Sequence, residues 1–177
     1  MIVDVVALGP NGKLQPVDEG SDVTLMFPPQ GGRVVWVGVR ARNVNPCGVR
    51  LVGALRDPIS KQVRLDSRII NLQIASDGYG QSDIGNIFTF TNIPVCHNTW
   101  SSQDLMDLPY ELTVSLTDKD DRKVTKVSQV IPRCNEPGQI SQCRCICDSD
   151  YVLGMMCADL LDAGHDDATA PFDAAED

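Results

Sequence analysis

Most of the chemistry open to this chain lies in its seven cysteines. Five of them, Cys134, Cys143, Cys145, Cys147 and Cys157, crowd into one short stretch, while Cys47 and Cys96 stand apart. Two chemistries suit such a cluster. Disulfides staple small segments in oxidising compartments. Thiolates from Cys143, Cys145 and Cys147, with Cys134 or Cys157, would hold zinc, but structural zinc sites space their ligands as wider knuckles than Cys-x-Cys. Disulfides are therefore the expectation, and no resident metal is expected. Cys47 and Cys96 each follow a strand signal, which makes a Cys47–Cys96 bridge a candidate. Closing that loop would contribute roughly 4 kcal/mol. Seven is odd, so one thiol stays free or pairs outside the chain.

Other reactive constellations are sparse. A catalytic cysteine needs a base, and the two histidines are His97, beside Cys96, and His165, in an acidic tail. Neighbours on a strand face opposite ways, so the expectation is no catalytic pair and no cofactor. Asp118, Asp120 and Asp121 sit in a turn with Lys119 and Arg122 among them, which reads as a solvated turn rather than a calcium loop. Asp148 and Asp150 lack the Asp-x-Asp-x-Asp-Gly pattern. Arg40 and Arg42 share one face of a strand with Trp36, which offers a cationic, aromatic surface for an acidic partner, a sugar acid or the chain's own tail. Trp100 lies in a polar loop, where it either contacts a partner or plugs one end of the fold.

Charge sorts the partners. Residues 148–177 hold Asp148, Asp150, Asp159, Asp162, Asp166, Asp167, Asp173, Glu176 and Asp177 and no Lys or Arg. The remaining residues balance, so the net charge of −9 belongs to the tail. A neutral body with an acidic tail argues against nucleic acid and against anionic lipid. No run of residues is long and apolar enough for a transmembrane segment, and no signal sequence is visible.

The elements that must position these residues read as β. Val34–Val44 alternates, with Val35, Val37, Val39 and Ala41 on one face and Trp36, Gly38, Arg40 and Arg42 on the other. Tyr110, Leu112, Val114 and Leu116 alternate likewise. Ile2–Leu8, Asp22–Phe27, Val49–Arg56, a short edge at Val63–Leu65, and Ile87–Val95 with Phe88 and Phe90 on one face add further strands. In Arg122–Ile131 the apolar spacing slips to three, which predicts a bulge. Pro132 is expected to end that strand. Ser101 or Ser102 is a candidate N-cap for one helical turn. Seven or eight strands with turns between them predict an all-β antiparallel sandwich over 1–132, a cysteine-stapled segment over 133–157 and an acidic tail over 158–177.

The stretch from Pro109 to Val124, with Tyr110, alternating apolar residues and a polar Asp turn, resembles the last hairpin of immunoglobulin-like domains of the polycystic-kidney-disease or fibronectin type. The resemblance implies a tyrosine corner, with the Tyr110 hydroxyl bonded back to the main chain. Asn45-Pro46-Cys47, Asn92 to Cys96, and Pro132-Arg133-Cys134 before the Cys-x-Cys-x-Cys run are together similar to cysteine-rich lipoproteins of myxobacteria, although no cysteine precedes Cys47. Cys145-x-Cys147 followed by Cys157 resembles the end of an epidermal-growth-factor-like module. That implies Cys147–Cys157, with Cys134 joined to Cys143 or Cys145. The expectation is an exported, non-enzymatic interaction or structural module, the soluble part of a lipoprotein, outside the cytoplasm: periplasmic, anchored to the outer membrane or secreted. Its partner would be a protein or glycan of the cell envelope. The alternatives are a glycan-binding module using Trp36, Trp100 or Tyr79, and a hydrolase whose carboxylates meet only in the fold.

Overall fold

A computed structural model describes residues 1–157. Eleven strands form two sheets around one core. The strands are β1 (Ile2–Leu8), β2 (Leu14–Pro16), β3 (Ser21–Thr24), β4 (Arg33–Arg42), β5 (Val49–Arg56) and β6 (Val63–Ile70). They continue as β7 (Gln73–Ile74), β8 (Gly80–Gln81), β9 (Thr91–Cys96), β10 (Tyr110–Thr117) and β11 (Lys123–Arg133). The first sheet runs β2-β1-β4-β8-β7, with β9 also on β4, and the second runs β3-β11-β10-β5-β6. Helix α1 (Ile140–Cys147) follows them.

Alternation builds the core. Val35, Val37, Val39 and Ala41 of β4 face Leu51 and Leu55 of β5 and Leu112, Val114 and Leu116 of β10 in one buried cluster. Gly53 of β5 is required there. A side-chain carbon at that position would collide with Thr91 Oγ1 and lie 3.1 Å from Ile93 Cδ1 on β9. Gly53→Ala is accordingly expected to destabilise by about 1–3 kcal/mol through overpacking. Urea unfolding reads this, and an unchanged midpoint would show that the two sheets are not in contact at that point.

Several expectations change. The far face of β4 is buried around Trp36 and opens to solvent only at Arg40 and Arg42. Leu8, Met26, Val34, Trp36 and Phe90 form a second buried cluster there, and Trp36 is 8% exposed. The loops before β4 and β9 fold over that face and carry Met26 and Phe90 onto it, so period-two alternation here marks two buried layers rather than one. Phe88 and Phe90 part company, because Ile87–Thr89 is a 3-10 turn that leaves Phe88 exposed and Phe90 buried. The slip in β11 needs no bulge. Its register with β10 is continuous from Tyr110↔Val130 to Thr117↔Lys123, and Val127 simply points out. Pro132 stays inside β11. Its missing N–H costs no ladder bond, because Pro132 faces the β10 side, where pairing has already ended at Tyr110↔Val130. That neighbour runs parallel, Ser21↔Val130 to Thr24↔Arg133, so the second sheet is mixed rather than purely antiparallel. The short edge strand extends to Ile70. Arg64, Asp66 and Arg68 point from it toward the gap between the sheets, charges that discourage edge-to-edge pairing.

Candidate functional site

The cysteines meet because the Cys-x-Cys-x-Cys run is helical. On α1, Cys143 and Cys147 lie four residues apart on one face, and Cys145 points elsewhere. Cys147 bonds Cys96 at the end of β9, Cys143 bonds Cys134 just after β11, and Cys145 bonds Cys157. The Cys47–Cys96 candidate is thereby corrected, since Cys47 is exposed and free in the loop before β5. The Cys147–Cys157 pairing implied by the growth-factor resemblance is corrected too. The run is helical, and a helix turns successive odd-numbered residues to different sides. Cys134 does join Cys143, one of its two expected partners. The sulfurs of Cys134, Cys143 and Cys147 lie within 4.8 Å of one another, yet all three are oxidised, and a disulfide sulfur is not the thiolate that zinc requires.

Arg33 locks this segment to the sheets. It is fully buried at the start of β4 and donates through Nη1 to Glu136 Oε2 at 2.8 Å. Through Nη2 it donates to the Gln139 carbonyl, Gln139 Oε1 and Gln142 Oε1. Burial pulls its guanidinium below the usual arginine range, while Glu136 acts the other way.

The loop holding Trp100 is an internal plug. Trp100 is 4% exposed, donates from Nε1 to the Val95 carbonyl and packs against Tyr110. It is therefore corrected as a partner contact. The Tyr110 hydroxyl donates to the Asp104 carbonyl at 2.9 Å, back along the chain. No helical turn forms at Ser101 and Ser102, which instead clasp buried Asp57. Asp57 accepts from the Ser102 N–H and hydroxyl, the Ser101 and Ser60 hydroxyls and the Ile59 N–H. Burial pushes its carboxyl up, but these donors outweigh burial and hold it well below the usual carboxylate range. A depressed carboxyl adds stability above its unfolded pKa, about 3.9, and gives it up as pH falls through the folded value. Stability is accordingly expected to hold from neutral pH down to about pH 4 and to fall below it. Asp57→Asn should flatten that acid limb in urea midpoints taken from pH 7 to pH 2, and an unchanged limb would overturn the assignment. Asp118 belongs to the same limb. It is 3% exposed rather than solvated, and Arg122 binds its Oδ2 through Nε at 2.9 Å and Nη2 at 2.6 Å.

Arg40 and Arg42 do share a face, but their surroundings differ from the expectation. Their guanidinium groups lie 4.7 and 4.2 Å from the centre of the Tyr79 ring. Arg40 pairs with Asp77, and Arg42 donates to the Asp77 carbonyl. Both arginines thus hold the loop between β7 and β8 onto β4. Sequence reading had no signal for Asp77 as their counter-ion beyond its place in a Gly- and Ser-rich loop.

A cleft of about 490 Å³ opens along the seam where β1 of one sheet passes β11 of the other. Asp4, Asp18, Glu19, Arg40 and Lys126 give it charge, and Val3, Val5 and Val17 line it with apolar surface. Nothing in the sequence marked this cleft, because its lining comes from both ends of the described chain. The carboxyls that depart clearly from ordinary values, Asp57, Asp77, Asp107 and Asp118, all depart downward and lie outside it. His97 stacks on Tyr151, with ring centres 5.4 Å apart. His165 and the acidic tail over 158–177 lie outside the described residues. No helix among the described residues is long and apolar enough to cross a membrane.

No family model, no curated protein and no solved structure matches the chain.

Proposed function

We propose that this chain is a non-enzymatic interaction module of an oxidising compartment outside the cytoplasm, built on an immunoglobulin-like pair of sheets and serving as the soluble part of an envelope lipoprotein. The disulfide set carries the reading. Three bridges gather six cysteines at one end of the body, two of them packed side by side, and such stapling persists where thiols are oxidised. The Tyr110 bond to Asp104, a tyrosine at the start of its strand bonded upstream, supports the immunoglobulin-like assignment. Among the described residues, buried Asp57, Asp118 and Arg33 are each bonded to structural partners, as suits a display scaffold. The glycan alternative loses two of its three aromatics, since Trp36 and Trp100 are buried.

Two measurements test the reading. Native protein should take up one alkyl group, at Cys47, and seven after reduction and unfolding. Seven on the native protein, with one bound zinc, would overturn the compartment. Protein biotinylated at Cys47 should bind an envelope fraction saturably, in competition with unlabelled protein. Turnover of ester or glycoside substrates without saturable binding would overturn the module.

A further inference from the structure

The cleft along the β1–β11 seam has backbone on both rims. Strand β3 covers the outer edge of β11 only from Val130 to Arg133. One residue before that, the Gln129 N–H donates to Glu19 Oε2 and its carbonyl accepts from the Gly20 N–H, so Gln129 faces away from β10. Backbone direction alternates along a strand, so Thr125 and Val127 face the same way. Among the described residues no strand pairs with them there. Opposite, the Val5 carbonyl accepts from the Val17 N–H, and β2 pairs with β1 only from Val6 onward. Val3 therefore presents a second open edge.

We infer that this cleft is a strand-addition site, in which a basic, extended peptide pairs with β11 at Thr125 and Val127 and continues the line of β3. The inference rests on the interaction-module reading and names its partner class. Main-chain pairing to an open edge supplies affinity, and alternate side chains supply selectivity. Charge selects the occupant. Asp4, Asp18 and Glu19 lie along the cleft, against Lys126 and an Arg40 already paired with Asp77. Among the described residues, three carboxylates face one cation without an ion pair, Lys126, which favours a basic strand and disfavours the chain's own acidic tail. On the other side of the added strand stands Val127, 59% exposed, which an apolar side chain would cover. The matching sequence alternates basic and apolar residues.

The test titrates the full, oxidised chain with the capped hexapeptide KVKVKV and follows amide shifts and hydrogen exchange. Shifts confined to residues 3–6 and 123–129 are expected, with slower exchange at Thr125 and Val127. The scrambled KKKVVV and the acidic EVEVEV should bind at least tenfold more weakly, and Asp4→Lys, at an exposed site, should weaken KVKVKV at least fivefold. Equal binding of the scrambled peptide, or shifts elsewhere, would overturn the site. So would edge amides already protected without peptide, whether in a monomer or in a dimer that marks a second copy as occupant. If KVKVKV fails while the biotinylated chain still binds the envelope fraction, only the cleft assignment falls. If neither binds, the module reading falls with it.

Discussion

Glu136→Ala is expected to destabilise the protein by about 3–5 kcal/mol, the cost of leaving a buried charge without its partner. Arg33 has no exposed surface, and among the described residues Glu136 is its one carboxylate. The acceptors that would remain, from Gln139 and Gln142, are neutral, and Arg33 Nε already lacks a partner. Glu136 Oε2 also accepts from the Phe27 N–H, so the substitution frees the chain ahead of β4 as well. The double variant Arg33→Met, Glu136→Ala should recover most of the loss, because removing both charges removes the desolvation penalty. Urea unfolding of the four proteins forms a double-mutant cycle. A single-variant cost below about 1 kcal/mol, the range of exposed pairs, would show that Arg33 is hydrated.

The second large effect belongs to the Cys96–Cys147 bridge. It spans 51 residues, against 9 for Cys134–Cys143 and 12 for Cys145–Cys157. On the chain-entropy model the long loop contributes about 4 kcal/mol and each short one about 3 kcal/mol. Cys96→Ser, Cys147→Ser should therefore lower Tm by roughly 8–16 °C for a chain of this size. It should also raise hydrogen exchange along α1, which rests on β9 through this link. Cys145→Ser, Cys157→Ser should leave α1 protected. Equal losses of α1 protection in the two double variants would show that the helix is held by packing alone.

The strands were legible where one side chain in two is apolar. β4, β5 and β10 were readable because their inward residues alternate strictly and are almost all apolar, with Gly53 the one gap in β5 and Tyr110 opening β10. The two-sided burial of β4 was hidden, because Met26 and Phe90 reach Trp36 from segments more than fifty residues apart. Helix α1 was missed for a related reason. Three of its four buried residues are cysteines, which read as a disulfide framework rather than as the i, i+4 stripe of a helix. The presence of bridges was readable from cysteine count, but their partners depended on that one helix. The cleft was out of reach, since residues near 4 and near 126 meet only through the sheets.

Parallel pairing of β3 with β11 has a consequence for biogenesis. More than a hundred residues separate Ser21 from Val130, so the second sheet acquires its outer strand only after most of the polypeptide has been synthesised. Contacts of that span slow folding and leave hydrophobic surface uncovered for longer. A nascent chain would therefore expose the outer edge of β11 until β3, made long before, returns to pair with it.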